Sequence, residues 1–133
     1  MKRHERSFTV FPQHTNMHYP MVFGGIMMGE MDLTAAECVR KVLLENSKDY
    51  LSAVTVAVNN IVFYVGAEVG DMIRFEAEVV KLGIKRIELH VEGYRLLPNS
   101  RIEHICKGDF VFVTKDNPHA SKGIAHGLKL DWN

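Results

Sequence analysis

The 133-residue sequence has few of the features that mark extracellular or membrane-spanning chains. It contains 2 cysteines, Cys38 and Cys106, which is too few for a disulfide framework, so we expect both to be buried thiols. No apolar run reaches the length of about 18 residues that a membrane span requires. The segment MKRHERSFTVF carries charges but no apolar stretch, which is not the pattern of a signal peptide. These absences predict a reduced, cytoplasmic setting.

An excess of charge of either sign is also lacking. Lys plus Arg and Asp plus Glu both number 16, so no overall field attracts nucleic acid or a membrane surface. Hydrophobic residues make up 47% and charged residues 24%, which is usual for a globular protein. The length suits a single domain over residues 1–133. We expect its core elements within about 8–114, followed by a polar carboxy-terminal tail at 115–133.

One long amphipathic segment, from about Phe23 to Asn46, predicts a helix. At 100° per residue, Glu37, Glu30, Lys41, Thr34 and Arg40 fall on its polar side. The other side is apolar and comprises Met27, Cys38, Met31, Val42, Ala35, Met28, Val39, Leu43 and Ala36. Asp32 falls inside this apolar arc, between Val39 and Leu43. A carboxylate that faces a core requires compensation, which makes Asp32 a candidate functional residue.

The remaining elements have the patterns of β-strands. A short strand is predicted at Ser7–Phe11, and four long ones at Ser52–Phe63, Met72–Leu82, Ile84–Leu97 and Arg101–Thr114. Ser52–Phe63 is apolar on both faces, which predicts a central strand. Tight turns favour antiparallel pairing, and Gly108 indicates a bulge or a close backbone contact. The result is an α+β domain in which a curved sheet wraps around one long central helix, with exposed edges that favour a homodimer.

The start of the helix offers groups suited to acyl transfer. The backbone N–H groups of Gly24 and Gly25 can stabilise a negatively charged oxygen, and the absence of side chains lets a substrate approach. Asn16, in the preceding loop, supplies both a donor and an acceptor. Asp32 lies two turns further along the helix. Donors for an oxyanion together with a base or nucleophile are the components of an acyl-transfer site, in which Asp32 activates water or attacks the carbonyl itself.

Three short motifs in this region resemble the acyl-CoA thioesterases of the hotdog fold. They are His14-Thr15-Asn16, Val22-Phe23-Gly24-Gly25 and Met31-Asp32, in the order of the acyl-CoA hydrolase family with a (H/D)TN–(V/I)FGG–MD pattern. The similarity continues through Val54–Val58, Phe63, Val69-Gly70-Asp71 and Lys81-Leu82-Gly83. It covers about residues 8–114. The segment Met17–Met21 is one residue longer here than in the family, and Ile84-Lys85-Arg86 replaces a segment that carries hydroxyls.

The resemblance implies a hydrolase of lipid metabolism that converts an acyl-CoA to a free acid and CoA. It implies a homodimer, often assembled into a hexamer as a trimer of dimers, with active sites at the dimer interface. By position, Asp32 matches the catalytic carboxylate and Asn16 its partner amide from the other subunit. Gly25, with Gly24, matches the backbone donors that polarise the thioester carbonyl. No metal and no cofactor is implied, since coenzyme A is part of the substrate.

Contacts with the substrate are predicted for Gly24, His14 and Phe23, and contacts with the CoA phosphates for Lys85 and Arg86. Two other functions remain open. A hotdog dehydratase or hydratase would need a histidine near Asp32, for which His14 is the candidate. A non-catalytic acyl-CoA binding module would retain only the binding groups.

His14 and His18 have metal-ligand spacing but no third ligand, so no metal site is predicted. His119 and His126 are expected to be exposed in the tail.

Overall fold

A computed structural model describes residues 3–15 and 20–129. The elements, in chain order, are β1 (Arg3–Thr9), a 3-10 turn (Pro12–His14), α1 (Gly24–Glu45), β2 (Ser52–Phe63), β3 (Met72–Leu82), β4 (Arg86–Leu96), a second 3-10 turn (Pro98–Ser100) and β5 (Ile102–Lys115). The long helix and the four long strands predicted from the sequence are confirmed. The strand before the helix begins at Arg3, four residues earlier than predicted.

The five strands form one antiparallel sheet in the order β1-β3-β4-β5-β2. The prediction that Ser52–Phe63 is a central strand is therefore wrong, because among the described residues β2 pairs with β5 alone and forms one edge of the sheet. Several of its apolar side chains are exposed, and Val56 is 54% exposed. The strand has the composition of a buried strand, but no part of the described chain covers its outer edge.

Helix α1 packs across the concave face of this sheet. Its buried side chains include Met27, Met31, Cys38 and Val42. Thr34 was expected on the polar side but is fully buried, and this is possible because its Oγ1 donates to the backbone oxygen of Glu30 at 2.8 Å. The helix ends at Glu45 and is capped by Asn46, whose side-chain Nδ2 donates to the oxygen of Val42 at 2.8 Å.

Strand β1 covers the polar side of the helix. Arg6 Nη1 lies 3.0 Å from Glu30 Oε2, and His4 Nε2 lies 3.0 Å from Glu37 Oε1. Glu30 is well covered by this strand, whereas the side chain of Glu37 remains 50% exposed. These pairs leave the opposite side of the helix, which carries Asp32, facing β2.

Both cysteines are buried, as predicted. Burial raises the pKa of Cys38 to about 11 and that of Cys106 to about 12. The two thiols therefore remain protonated near neutral pH and are poor nucleophiles. Neither belongs to the candidate site described below.

Part of the tail after β5 is packed against the sheet. Ile124 N donates to Thr114 O at 2.8 Å, and Thr114 Oγ1 donates to Ile124 O at 2.7 Å. His119 is exposed as expected, but the expectation for His126 is wrong, since this residue is only 2% exposed. Leu128 N donates to His126 Nδ1 at 2.9 Å, so the ring proton resides on Nε2, which donates to Arg86 O at 3.1 Å.

Candidate active site

The helix start presents two unpaired backbone donors among the described residues, the N–H groups of Gly24 and Gly25. Ile26 N and Met27 N both donate to Phe23 O, at 2.9 and 3.2 Å. By contrast, the N–H groups of Gly24 and Gly25 have no acceptor within residues 3–15 and 20–129. Unpaired N–H groups at the positive end of a helix attract an oxygen that carries negative charge.

Two aromatic rings flank these donors. A Cβ built on Gly25 would lie 2.7 Å from Phe23 Cε1, so any larger residue would displace the Phe23 ring. A Cβ built on Gly24 would lie 3.5 Å from Cε2 of Phe63, at the end of β2. Phe23 is 58% and Phe63 45% exposed. The donors therefore lie beside an open apolar surface.

Asp32 lies on the side of the helix that faces β2. The prediction that it faces the core is only partly correct, because the side chain is half-buried and contacts the edge strand of the sheet. Thr55 Oγ1 donates to Asp32 Oδ1 at 2.8 Å. The other carboxylate oxygen, Oδ2, has no donor within the described part of the chain. The hydroxyl thus orients the carboxylate and leaves one oxygen available.

These groups lie along one seam between α1 and β2. Phe63 lies beside the helix start, with its Cε2 3.5 Å from a Cβ built on Gly24, and Thr55 contacts the helix two turns later at Asp32. Eight residues of helix span about 12 Å, and helical side chains lean toward the amino terminus. The Asp32 carboxylate therefore leans toward the glycine donors. Sequence reasoning did not single out Thr55, whose only signal is a hydroxyl within the apolar run Val54–Val58.

Of the two candidate residues in the loop before the helix, His14 and Asn16, the structure describes only His14. His14 O accepts from Phe23 N at 3.1 Å, which holds the loop beside the helix start. The His14 ring is engaged in its own turn: its Nδ1 accepts from Phe11 N at 3.0 Å, and its centroid lies 4.8 Å from that of Phe8. Asn16 lies outside the described residues.

Lys85 and Arg86 are exposed at the turn between β3 and β4. The backbone of this turn is fixed, since Lys85 O accepts from Thr114 N at 3.0 Å and Arg86 O accepts from the His126 ring. In the sheet, Thr55 pairs with Phe112, which pairs with Ile87. The residue after Arg86 is thus in register with Thr55 two strands away, at a distance of roughly 10 Å. Both side chains lie at the end of the sheet where Asp32 is held.

One long helix within a curved five-stranded antiparallel sheet, with glycines at the helix start, defines a hotdog-fold domain. A family model described as the thioesterase superfamily matches residues 19–97, more than half of the chain. The matched segment contains the helix start, Asp32 and Thr55. The chain therefore belongs to the thioesterase superfamily.

A curated relative is an uncharacterized acyl-CoA thioester hydrolase of Zymomonas mobilis. It is 34% identical over 107 residues, which is 79% of this chain and 66% of the relative. The chain thus spans about two thirds of the length of that protein.

Solved structures share the fold. An acyl-CoA hydrolase of Staphylococcus aureus in complex with butyryl coenzyme A, coenzyme A and coenzyme A disulfide has a TM-score of 0.78 at 24% identity, covering 92% of this chain and 71% of that one. A hexameric thioesterase of Yersinia pestis has a TM-score of 0.75 at 24% identity, covering 90% and 92%. A hexameric broad-specificity acyl-coenzyme A thioesterase, as an aspartate-to-alanine variant, has a TM-score of 0.76 at 25% identity, covering 92% and 86%.

Proposed function

We propose that this protein is an acyl-CoA thioesterase that hydrolyses an acyl-CoA to a free carboxylic acid and CoA. The observation that carries this proposal is the Asp32 carboxylate, oriented by Thr55 along the same seam as two available backbone donors. Membership of the thioesterase superfamily and the similarity to an acyl-CoA thioester hydrolase support it. Structures of the Staphylococcus aureus enzyme with an aspartate, an asparagine or a threonine replaced by alanine are further fold relatives.

In the proposed reaction, the thioester carbonyl accepts from the N–H of Gly25 and is flanked by Gly24 and Phe23. Asp32 removes a proton from water, whose oxygen attacks the carbonyl carbon, or attacks that carbon directly to form an anhydride that water then cleaves. The carbon–sulfur bond breaks and the thiolate of CoA takes up a proton. The glycine donors stabilise the negative charge that develops on the carbonyl oxygen. Water is the only co-reactant, and the proposed steps use no metal or cofactor.

We further propose that the working unit is a homodimer formed through β2, with assembly into a hexamer as a trimer of dimers. In the part of the chain that the structure describes, the outer edge of β2, a strand of 12 residues, has no partner, and such an edge readily pairs with another strand. Exposed apolar side chains concentrate on β2 and just after it, at Val56, Val58, Val62, Phe63, Tyr64 and Val65. Because Asp32 faces this edge, a second copy would lie next to it. In this arrangement the partner's Asn16 completes the site.

A thiol-release assay over short, medium, long and aromatic acyl-CoAs tests the activity. We expect equimolar free CoA and carboxylic acid. Formation of an enoyl or hydroxyacyl thioester without CoA release would instead indicate a dehydratase or hydratase. The engagement of the His14 ring in its own turn disfavours that reaction. Tight binding of acyl-CoA without any product would indicate a binding module and would contradict the proposal.

Replacing Thr55 by valine is expected to lower kcat by about ten- to a hundredfold while KM changes little. The substitution keeps the shape of the side chain but removes the hydroxyl that orients Asp32, and a hydrogen bond to a charged group contributes about 1.5–3 kcal/mol. Thr55→Ser, which restores a hydroxyl, should recover most of kcat. Equal rates for the Thr55→Val and wild-type proteins would show that the hydrogen bond has no role in catalysis.

The double substitution Lys85→Ala and Arg86→Ala is expected to raise KM for acyl-CoA about tenfold or more with little change in kcat. The two exposed cations face solvent from a fixed turn, where they are available to the phosphates of CoA. Hydrolysis of the matching acyl-pantetheine, which lacks the nucleotide, should be unaffected. If both substrates lose activity equally, the two side chains do not contact the nucleotide.

A further inference from the structure

Gly108 creates a hollow in the inner face of the sheet, beneath the catalytic part of the helix. A Cβ built on Gly108 would overlap the Cδ1 of Ile61 and would lie 3.2 Å from Cε of Met31. The hollow is therefore filled by the Ile61 side chain, which reaches across from β2. Ile61 itself is only half-buried, so part of its surface remains accessible.

A β-bulge directs Ile61 into this position. Asn59 pairs with Asp109 and Val62 with Lys107, so that two residues of β2, Asn60 and Ile61, lie opposite Gly108 alone. Asn60 has a φ of 55°, a left-handed conformation that non-glycine residues adopt rarely and asparagine more readily than most. Bulges of this kind redirect side chains near active sites.

Hydrogen bonds on the outer face of the sheet hold the bulge. Asn60 Nδ2 donates to Asp109 Oδ2 at 2.9 Å, and Asp109 Oδ1 lies 2.7 Å from His90 Nδ1. The other ring nitrogen of His90 lies 3.0 Å from Glu92 Oε1, so each ring nitrogen has a carboxylate partner. Burial alone would lower the pKa of His90, but the hydrogen bonds to Asp109 and Glu92 outweigh it and raise the pKa. These hydrogen bonds fix the bulge and therefore the position of Ile61.

Ile61 lies between the two ends of the proposed catalytic seam. Along β2, Phe63 lies beside the helix start at Gly24 and Thr55 contacts the helix at Asp32. An acyl group that extends from this seam toward the sheet meets Ile61 where Gly108 would otherwise leave space. Resting on the proposed thioesterase function, we infer that Ile61 closes the inner end of the acyl pocket and restricts the enzyme to short acyl chains.

The test compares kcat/KM for butyryl-CoA and hexanoyl-CoA. The wild-type protein should favour butyryl-CoA. Ile61→Ala should raise the ratio of hexanoyl to butyryl activity about tenfold or more, since it removes three carbons and each methylene accommodated in an apolar pocket changes kcat/KM by about tenfold or more. Adding Gly108→Ala to this variant should reverse the shift, because the new methyl group occupies the reopened hollow.

Ile102→Ala is the matched control, since it makes the same change at an exposed position at the start of β5. It should leave the ratio unchanged. Thermal unfolding followed by circular dichroism identifies folded variants, and Ile61→Val, with a smaller shift in the same direction, serves if Ile61→Ala does not fold. A wild-type preference for hexanoyl-CoA, or an unchanged ratio in a folded Ile61 variant, would overturn this inference and leave the thioesterase activity standing. Absence of CoA release by the wild-type protein from every acyl-CoA would overturn the proposed function itself.

Discussion

Replacing Asp32 by alanine is expected to lower kcat for acyl-CoA hydrolysis between about 10²- and 10⁴-fold, the range associated with a general base. Asp32 is the only carboxylate that the described residues place on the seam between α1 and β2, and Thr55 orients it. Without it, neither activation of water nor direct attack has a replacement group. The glycine donors remain, so substrate binding should be largely retained.

The measurement is steady-state thiol release, with unfolding temperature and oligomeric state determined for each variant. Glu37→Ala is the matched control, because it removes a carboxylate from the opposite side of the same helix, where it pairs with His4 and Arg6. It should retain full activity, since exposed ion pairs contribute at most about 1 kcal/mol to stability. Asp32→Asn should be as inactive as the alanine variant while preserving its shape. Full turnover by folded Asp32→Ala would contradict the catalytic role.

Most of the fold could be predicted from local patterns. Ile73, Phe75, Ala77 and Val79 alternate with polar residues in β3, and all four are buried as that alternation requires. The helix was equally recognisable from its 3.6-residue period, although the wheel misplaced Thr34. A side chain whose hydroxyl bonds to its own helix can enter a core, and periodicity alone does not contain this information.

The place of β2 in the sheet could not be predicted, for a physical reason. A strand that is apolar on both faces has the same sequence whether its neighbours come from its own chain or from another. Exposed Val56 and Val58 therefore give β2 the pattern of a central strand, although it lies at an edge. The apolar pattern that led to the wrong position for β2 is the same pattern that supports the proposed dimer.

The candidate site was predicted in part. Asp32 stood out because a carboxylate interrupts an apolar arc, and the glycines because they open a helix. The contact between Asp32 and Thr55 joins residues 23 positions apart on different elements, and that from His126 to Arg86 spans 40. Such pairings depend on how the helix and the tail pack on the sheet, which no local pattern specifies.

Co-expression of two inactive variants, Asp32→Ala and Asn16→Ala, is expected to restore activity. In a two-fold symmetric dimer whose sites each combine Asp32 of one subunit with the partner's Asn16, a mixed dimer contains one intact site and one site that lacks both groups. Random assembly should therefore give roughly a quarter of the wild-type rate per chain, whether or not the dimers assemble further. Each variant expressed alone should be almost inactive.

The control for this experiment is Val56→Lys, which places a charge on the exposed edge of β2. Introduced into both variants, it should yield monomers in light-scattering measurements and abolish the restored activity. Introduced alone into the wild-type chain, it should reduce turnover to the level of Asp32→Ala, because the monomer lacks the second subunit's loop. If the co-expressed variants form mixed dimers and remain inactive, the two residues do not act across the interface. If the Val56→Lys monomer retains full activity, the site is complete within one chain and the edge of β2 has another role.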